Sequence, residues 1–408
     1  MSGLVVQKFG GTSVGNLERV AVVAERIITR KKEGKDVVAV VSAMAGETDR
    51  LLTLARQFQS AGSSREVDAL IATGEQVSAS LLSLALSAKG VTAVSLQGHQ
   101  VPIFTDQAFG GAQILSVAPQ KIRQLLSEGK VVVVTGFQGV TEEGEITTLG
   151  RGGSDLTAVA LAAALDADQC EIYTDVPGVF TADPQICGDA RLIPRISHDE
   201  MMELASLGTK VLQARSVQMA KRYEIPVWIG SSFTDDGGTW VTKEEKKMEG
   251  TIVAGITCDR TDAQISVRHL PDSLGGMSGL LTALADAKIV VDVIVADRSV
   301  DGKTNLTFTV PRPSFAIASA VVKKATEKVP DIQIICREKV AKVSAVGLGM
   351  RTHSGVAAKI FQCLAEEKIE VMAVSTSDIK ISCVIDEKYG ELAVRALHDR
   401  FGLGNEPH

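Results

Sequence analysis

LVVQKFGGTSVGNLERVAVVAERI, residues 4–27, is an apolar run that ends in Lys8, followed by Gly10, Gly11, Thr12 and Ser13, and then by a helical pattern. Without a Cβ, Gly10 and Gly11 let backbone N–H groups approach a ligand closely. The start of the following helix adds unpaired N–H groups and the positive end of a dipole. With the charge of Lys8 beside them, these groups make a phosphate cradle. The order is neither that of a P-loop, in which lysine follows the glycines, nor G-x-G-x-x-G. Taken alone, a structural tight turn accounts for the same residues.

Outward from this stretch, residues 1–233 alternate Val/Ile-rich strands with helices. DVVAVVSAM, VTAVSLQG, KVVVVTGF, QCEIYTDV and IPVWIGS carry apolar residues without alternation, as strands buried on both faces do. NLERVAVVAERIITRKK and DLTAVALAAALDA are helical between them. The expected class is α/β: a mostly parallel sheet sandwiched by helices, with ligands beyond the carboxyl ends of the strands. TDDGGTWVTKEEKKMEG (234–250) reads as a linker. Beyond it, GGMSGLLTALADAKIVVDVI from Gly275 aligns without gaps with GVAAKIFQCLAEEKIEVMAV from Gly355, an offset of 80 residues. Each copy continues into a further strand and helix, the βαββαβ ferredoxin-like order. The first copy has a closing strand, IQIICRE. The second lacks one, and TIVAGITCD (251–259) is the candidate to supply it, which would interleave the two units.

The chain has 408 residues, a length for two or three domains, and a formal charge of −6. No segment is dominated by Lys and Arg, which argues against nucleic acid as a partner. The six cysteines are scattered without a C-x-x-C pair, so zinc and dithiol chemistry have no support and reduced thiols are expected. No secretory leader is visible, and the most apolar stretches are too short to span a bilayer. A cytoplasmic protein with no membrane partner is expected.

A second loop, TTLGRGGSDLTAVALAAAL from Thr147, repeats the build: glycines, Arg151, then Ser154 and Asp155 at a helix start. An N-cap role covers Ser154 or Asp155 but not Arg151 among three glycines. Two anion-friendly loops imply one or two ligands with several negative charges; a nucleoside triphosphate and a carboxylate acceptor fit. TDVPGVFTADP (174–184) follows a strand, where it is either a surface connection or a base or ribose contact. Lys210, in LGTKVLQARS, stands at a helix start, where it opposes the dipole unless an anion is present.

KFGGTSVG (8–15), VVSAMAGETD (40–49), ATGEQVSASLL (72–82), TTLGRGGSD (147–155), TDVPGVFTADP (174–184) and GTKVLQ (208–213), in that order and spacing, resemble aspartate kinase. The tandem C-terminal units resemble its ACT regulatory domains, and the resemblance covers essentially the whole chain. It implies an amino-acid kinase fold over 1–245 and ACT units over 251–338 and 339–408. It also implies transfer of the γ-phosphoryl group of ATP to the β-carboxylate of L-aspartate, with Mg2+, giving 4-phospho-L-aspartate on the way to lysine, threonine, methionine and isoleucine. A carboxylate with a free pKa near ~4 is already ionised and needs no general base, in keeping with the lack of histidines near the glycine loops. What the reaction does need is positioning and positive charge.

By the family pattern Lys8 and Asp155 are catalytic: Lys8 neutralises the transferring group and Asp155 orients it or the metal. No residue is singled out as a metal ligand. Arg151 holds the substrate α-carboxylate bidentately, and Gly153 and Ser154 just after it also belong to the substrate site. Glu75 pairs with the α-ammonium, and Ser42 and Thr48 hydrogen-bond the β-carboxylate. Lys8, Phe9, Gly10, Gly11, Thr174, Asp175, Phe180, Asp183 and Lys210 line the nucleotide site. The plain alternatives are a solvated Glu75 and capping roles for Ser42 and Thr48. Three positions depart from the pattern: Phe180 in place of tyrosine, Gln185 in place of arginine, and Ala296 in place of a glutamine.

For the regulatory half the resemblance implies effector amino acids, lysine or threonine or both. They would bind at Asp272, Gly275, Gly276, Asp292 and Asp297 of the first unit and at His353, Ser354, Gly355 and Val356 of the second. It also implies a homodimer or larger homo-oligomer, or a complex with a separate ACT-only small subunit started at Met248. The absence of a fused dehydrogenase points to a monofunctional enzyme. The competing readings are another amino-acid kinase, acting on glutamate, acetylglutamate or a nucleoside monophosphate, and a non-catalytic amino-acid sensor.

Overall fold

The computed structural model describes residues 3–58, 64–209, 211–244, 252–271, 276–298, 303–351 and 353–405. The chain divides into two compact units: Met1–Val179 with Leu192–Ser206 and Lys210–Lys246, and Phe180–Arg191 with Leu207–Thr209 and Lys247–His408.

The first unit is built on an eight-stranded sheet in the order Arg195–Ser197, Thr239–Thr242, Val227–Ser231, Gln169–Thr174, Leu4–Phe9, Asp36–Val41, Val131–Thr135, Ala93–Leu96. Every adjacent pair is parallel except Val227–Ser231 with Thr239–Thr242. The apolar runs occupy its centre because helices cover both faces. All five residues of Val131–Thr135 are buried, as are five of six in Asp36–Val41. Helix Leu17–Lys32 buries Val20, Val23, Ala24, Ile27 and Ile28, a stripe at helical spacing, and its last turn carries Arg30, Lys31 and Lys32 where the dipole favours cations. Phe9 stacks on Tyr173 of the neighbouring strand, ring centroids 4.9 Å apart. The strand order reverses at Leu4–Phe9: the chain goes next to Asp36–Val41 on one side, and Gln169–Thr174 joins later on the other. That is where a crevice for ligands opens.

Two readings need correction. Residues 234–250 are not simply a linker, because Thr239–Thr242 forms a sheet strand, paired through Trp240 with Trp228. A further sheet of four strands, Ile114–Val117, Ile103–Thr105, Gln138–Val140 and Ile146–Thr148, is not visible in the sequence, since strands of three or four residues carry no period long enough to see. Ser64–Ala88 is helical, long and apolar enough to cross a membrane by length and composition. Half of it is buried within the unit, with Asp68 and Glu75 among its buried residues, as in a core helix.

The second unit holds two ferredoxin-like sheets. One runs Asp292–Arg298, Lys303–Pro311, Asp262–Pro271, Gln333–Arg337, with helices Gly276–Asp286 and Phe315–Thr326. The other runs Gly255–Asp259, Val340–Val346, Lys380–Asp386, Val371–Ser377, with helices Val356–Glu366 and Gly390–Arg400. Gly255–Asp259 pairs antiparallel with Val340–Val346, so the strand before the first repeat completes the sheet of the second.

Candidate active site

Lys8 is the penultimate residue of the central strand, level with Val40 and Ile172 on its neighbours. It is 8% exposed, and its Nζ meets Asp155 Oδ1 at 2.5 Å. Asp155 lies in the first turn of helix Gly153–Leu165, whose N-cap is Gly152 at φ +68° with no side-chain cap. Ser154 and Asp155 are thus inside the helix, and the capping role open to them in the sequence is not the one they take. The first-turn N–H groups are left without a side-chain acceptor at the positive end of the dipole, an arrangement suited to an anion.

The first glycine pair is used differently from the cradle expected. The Gly10 N–H donates to Tyr173 O at 3.1 Å, extending the sheet, so of the pair it is Gly11 whose N–H can face a ligand. The helix after it begins only at Leu17 and is capped by Asn16, which accepts from the Arg19 N–H at 2.9 Å.

Ala43 is where the loops converge. A Cβ on Gly11 would lie 2.8 Å from Ala43 O, and one on Gly74 would lie 2.8 Å from Ala43 Cβ. The Ala43 N–H donates to Glu75 Oε1 at 3.0 Å. Glu75 is buried near the start of helix Thr73–Ala88, and its Oε2 has no hydrogen-bond partner. Desolvation pushes its pKa up to about 7, against the Ala43 bond, which pulls it down. A buried carboxyl with one free oxygen is built to receive a cation. Ser42 and Thr48 flank this point, both partly exposed. Arg151, in the turn between Gly150 and Gly152, is exposed and makes no hydrogen bond or ion pair among the described residues.

Toward the other flank, Thr174 ends its strand. Its carbonyl accepts from the Ser232 N–H at 2.9 Å and the Ser232 hydroxyl at 3.2 Å, and Ser13 Oγ donates to Ser232 Oγ at 2.8 Å. The Thr174 hydroxyl donates to Asp175 Oδ1 at 3.1 Å. Phe180 and Asp183 lie in the segment grouped with the second unit, where Asp183 Oδ1 accepts from the Gln185 N–H at 2.9 Å. Lys210 lies outside the described residues. A groove of about 450 Å³ lined by Arg26, Arg30, Tyr173 and Phe233 holds none of the expected site residues.

In the second unit Gly276 and Val356 open equivalent helices, with Gly355 at φ +92° as N-cap of the latter and Val356 buried. His353 Nδ1 is 2.9 Å from Gly349 O, and Ser354 is exposed. Asp292 Oδ2 accepts from Lys342 Nζ at 2.7 Å, and Asp297 is exposed on the same strand. Asp272 and Gly275 lie outside the described residues.

Residues 3–231 match the model of the amino acid kinase family, and residues 343–401 match an ACT domain. An aspartate kinase of Pseudomonas putida is 50% identical over 401 residues, which cover 98% of each chain. The chain belongs to the aspartate kinase family. The crystal structure of aspartate kinase from Synechocystis is 42% identical, with a TM-score of 0.56, and the match covers 99% of this chain and 70% of that one. For the fold alone, Escherichia coli aspartokinase III in complex with aspartate and ADP superposes with a TM-score of 0.81 at 24% identity, over 97% of this chain and 99% of that one. Of the residues expected to serve an aspartate kinase, Lys8, Gly11, Ser42, Glu75, Ser154, Asp155 and Thr174 stand at or just beyond the carboxyl ends of the central strands or in the helix turns packed on them. Sequence reasoning missed Gly136, Ser232 and Asp68. Gly136 follows strand Val131–Thr135, and a Cβ there would lie 2.6 Å from Ser154 Oγ. Its only sequence signal was a glycine directly after a buried strand.

Proposed function

We propose that this aspartate kinase transfers the γ-phosphoryl group of ATP to the β-carboxylate of L-aspartate. The observation that carries the reading is the 2.5 Å contact of Lys8 with Asp155, made at the strand ends beside the uncapped start of helix Gly153–Leu165. A β-carboxylate oxygen of aspartate attacks the γ-phosphorus, the bond to the β–γ bridging oxygen breaks, and ADP leaves with that oxygen. No proton has to be removed, because the nucleophile is already ionised. The task is to bring two anions together. Lys8 offsets their charge, held in place by Asp155, and the N–H groups of Ser154 and Asp155 at the helix start add fixed partial charge at no reorganisation. Arg151 takes the α-carboxylate, Glu75 Oε2 accepts from the α-ammonium, and Ser42 and Thr48 hydrogen-bond the acceptor carboxylate. Thr174, Asp175, Phe180, Asp183 and Lys210 serve the nucleotide.

Among the described residues no group of three or more His, Cys, Asp or Glu side chains is placed to hold a metal. Mg2+ would then be held chiefly by nucleotide phosphates and water. When bound, the ion neutralises phosphate charge. The ACT units fit feedback control by lysine, threonine or both, which requires an effector to bind two global states unequally. A sheet edge in such units suits a homo-oligomer. Six free cysteines, four of them buried, suit the cytoplasm.

Incubation with ATP, Mg2+, aspartate and hydroxylamine tests the reading by trapping the acyl phosphate as a hydroxamate. Aspartyl hydroxamate is expected, with a fall of roughly 10³-fold in Lys8→Ala at unchanged circular dichroism. Product with glutamate but not aspartate would mark another amino-acid kinase, and no product with any acceptor would mark a sensor. Millimolar lysine and threonine, singly and together, should lower the rate; no response would remove the regulatory part.

A further inference from the structure

Two charged side chains that the reaction does not use, the buried Asp68 and the surface Arg215, hold the approach to the Arg151 turn. Residues 110–112 lie beside residues 148–149, with the Ala112 N–H donating to Thr148 O at 2.9 Å. Asp68, on helix Ser64–Ile71 and 1% exposed, accepts from the Thr148 N–H at 2.7 Å, the Thr148 hydroxyl at 2.9 Å and the Gly110 N–H at 2.9 Å. Arg215, on helix Ala214–Arg222, donates from Nη1 to Leu149 O at 2.7 Å and from Nη2 to Ala112 O at 2.9 Å. One carboxylate thus collects N–H groups of both segments, and one guanidinium collects carbonyls of both.

Immediately beyond Leu149 the turn is rich in glycine. Gly150 (φ +75°) and Gly152 (φ +68°) flank Arg151, and neither has a Cβ to restrict it. The Gly153 N–H donates to Gly150 O at 3.0 Å and closes the turn, but no side chain within it holds the exposed Arg151 guanidinium. The fixed points are Thr148 and Leu149 on one side and helix Gly153–Leu165 on the other. Gln213, two residues before Arg215, closes over the turn: a Cβ on Gly152 would fall 1.8 Å from Gln213 Cγ. Only a planar fork can reach two carbonyls with this geometry, which a lysine ammonium cannot reproduce.

We propose that Asp68 and Arg215 are positioning residues that set the Arg151 turn for the acceptor amino acid. This rests on the reading of Arg151 as the holder of the aspartate α-carboxylate. The test is steady-state kinetics of the full chain for Arg215→Lys, Asp68→Asn, Arg151→Ala and the Arg151→Ala/Arg215→Lys pair, with thermal unfolding alongside. Arg215→Lys and Asp68→Asn are expected to raise KM for aspartate about tenfold or more, and to change KM for ATP less than about threefold, since small displacements of a positioning group are felt strongly. In the Arg151→Ala background Arg215→Lys should have no further effect on KM for aspartate. If Asp68→Asn does not fold, Thr148→Val, which removes a single bond to Asp68, should give a smaller rise of the same selectivity. Equal changes in both KM values and in kcat, tracking the fraction folded, would overturn the proposal, as would full additivity in the double variant. If Arg151→Ala itself leaves KM for aspartate unchanged, the reading of Arg151 fails instead, and the two failures are told apart.

Discussion

The Ala43 N–H donates to Glu75 Oε1 at 3.0 Å, while Oε2 of the same buried carboxyl has no hydrogen-bond partner among the described residues. Burial raises this carboxyl to about 7 from 4.5, so in the free protein it is half protonated near neutrality. An ammonium ligand needs the ionised form. KM for aspartate is expected to rise as pH falls below about 7, approaching tenfold per unit. Glu75→Gln should have a high KM with that slope removed. Stability runs the other way. The folded state favours the protonated carboxyl, so this contribution is complete below 4.5 and is lost as pH rises through about 7. Thermal unfolding of Glu75→Gln against pH should lack that decline between pH 5 and 8. A parallel decline in both proteins would show that Glu75 is not its source.

Gly136→Ala tests how tightly the second loop is packed on the sheet. The added Cβ would stand 2.6 Å from Ser154 Oγ, 2.7 Å from Ser154 Cβ and 3.0 Å from Ser154 Cα. The last is backbone, so the start of the helix that carries Asp155 must move. A loss of about 1–3 kcal/mol is expected from overpacking, with kcat down about tenfold or more because displacement at this distance from the chemistry is strongly felt. Gly144→Ala is the control: its φ of +88° imposes backbone strain, but a Cβ there meets nothing within 4 Å. It should lower the melting temperature without a matching fall in kcat. Similar kinetics in the two variants would remove the packing explanation.

The parallel sheet was legible because its strands are buried on both faces and therefore read as unbroken Val/Ile runs. The two glycine loops stood out because each sets a lysine or arginine beside glycines between a strand and a helix. What escaped was long-range pairing. Asp68 and Arg215 act on backbone groups that lie 42 to 103 residues away in sequence, and an isolated Asp on a helix looks like any solvated carboxylate. Thr239–Thr242 escaped because it lies in a polar, glycine-bearing stretch. The bond of the Gly10 N–H to Tyr173 O escaped because local sequence cannot tell whether an N–H will face a ligand or the next strand.

In the second unit, Lys342 is buried against three carboxylates: Asp292 at 2.7 Å, Asp262 at 3.1 Å and Asp259 at 3.8 Å. Burial alone would lower the ammonium pKa, but the Asp292 bond and the Asp262 charge hold it above its ordinary value. Asp262 itself is pushed up by burial against the pull of Lys342. Lys342→Met should therefore destabilise this unit by about 3 kcal/mol, since it leaves buried carboxylates without a cation. The deficit should shrink as pH falls and the carboxylates protonate. Urea unfolding at pH 8 and pH 5 would show it, and an equal deficit at both would mean that lost packing, not charge, is responsible.

Asp155 is expected to act through Lys8 alone. At 2.5 Å from the ammonium, and with both side chains about a tenth exposed, it fixes one of the few cations the two anionic ligands can share. Asp155→Asn keeps the shape and removes the charge. The ammonium is then held less well, and kcat should fall roughly 100-fold or more while KM for aspartate changes less than about threefold, the signature of an interaction that matters mainly in the transition state. If that is its whole role, Lys8→Met/Asp155→Asn will be no slower than Lys8→Met alone, because the second change removes a support for a group already gone. Losses that multiply in the double variant would show that Asp155 also acts directly on the nucleotide or its ion. The dependence of kcat on Mg2+ concentration should then shift in Asp155→Asn and not in Lys8→Met.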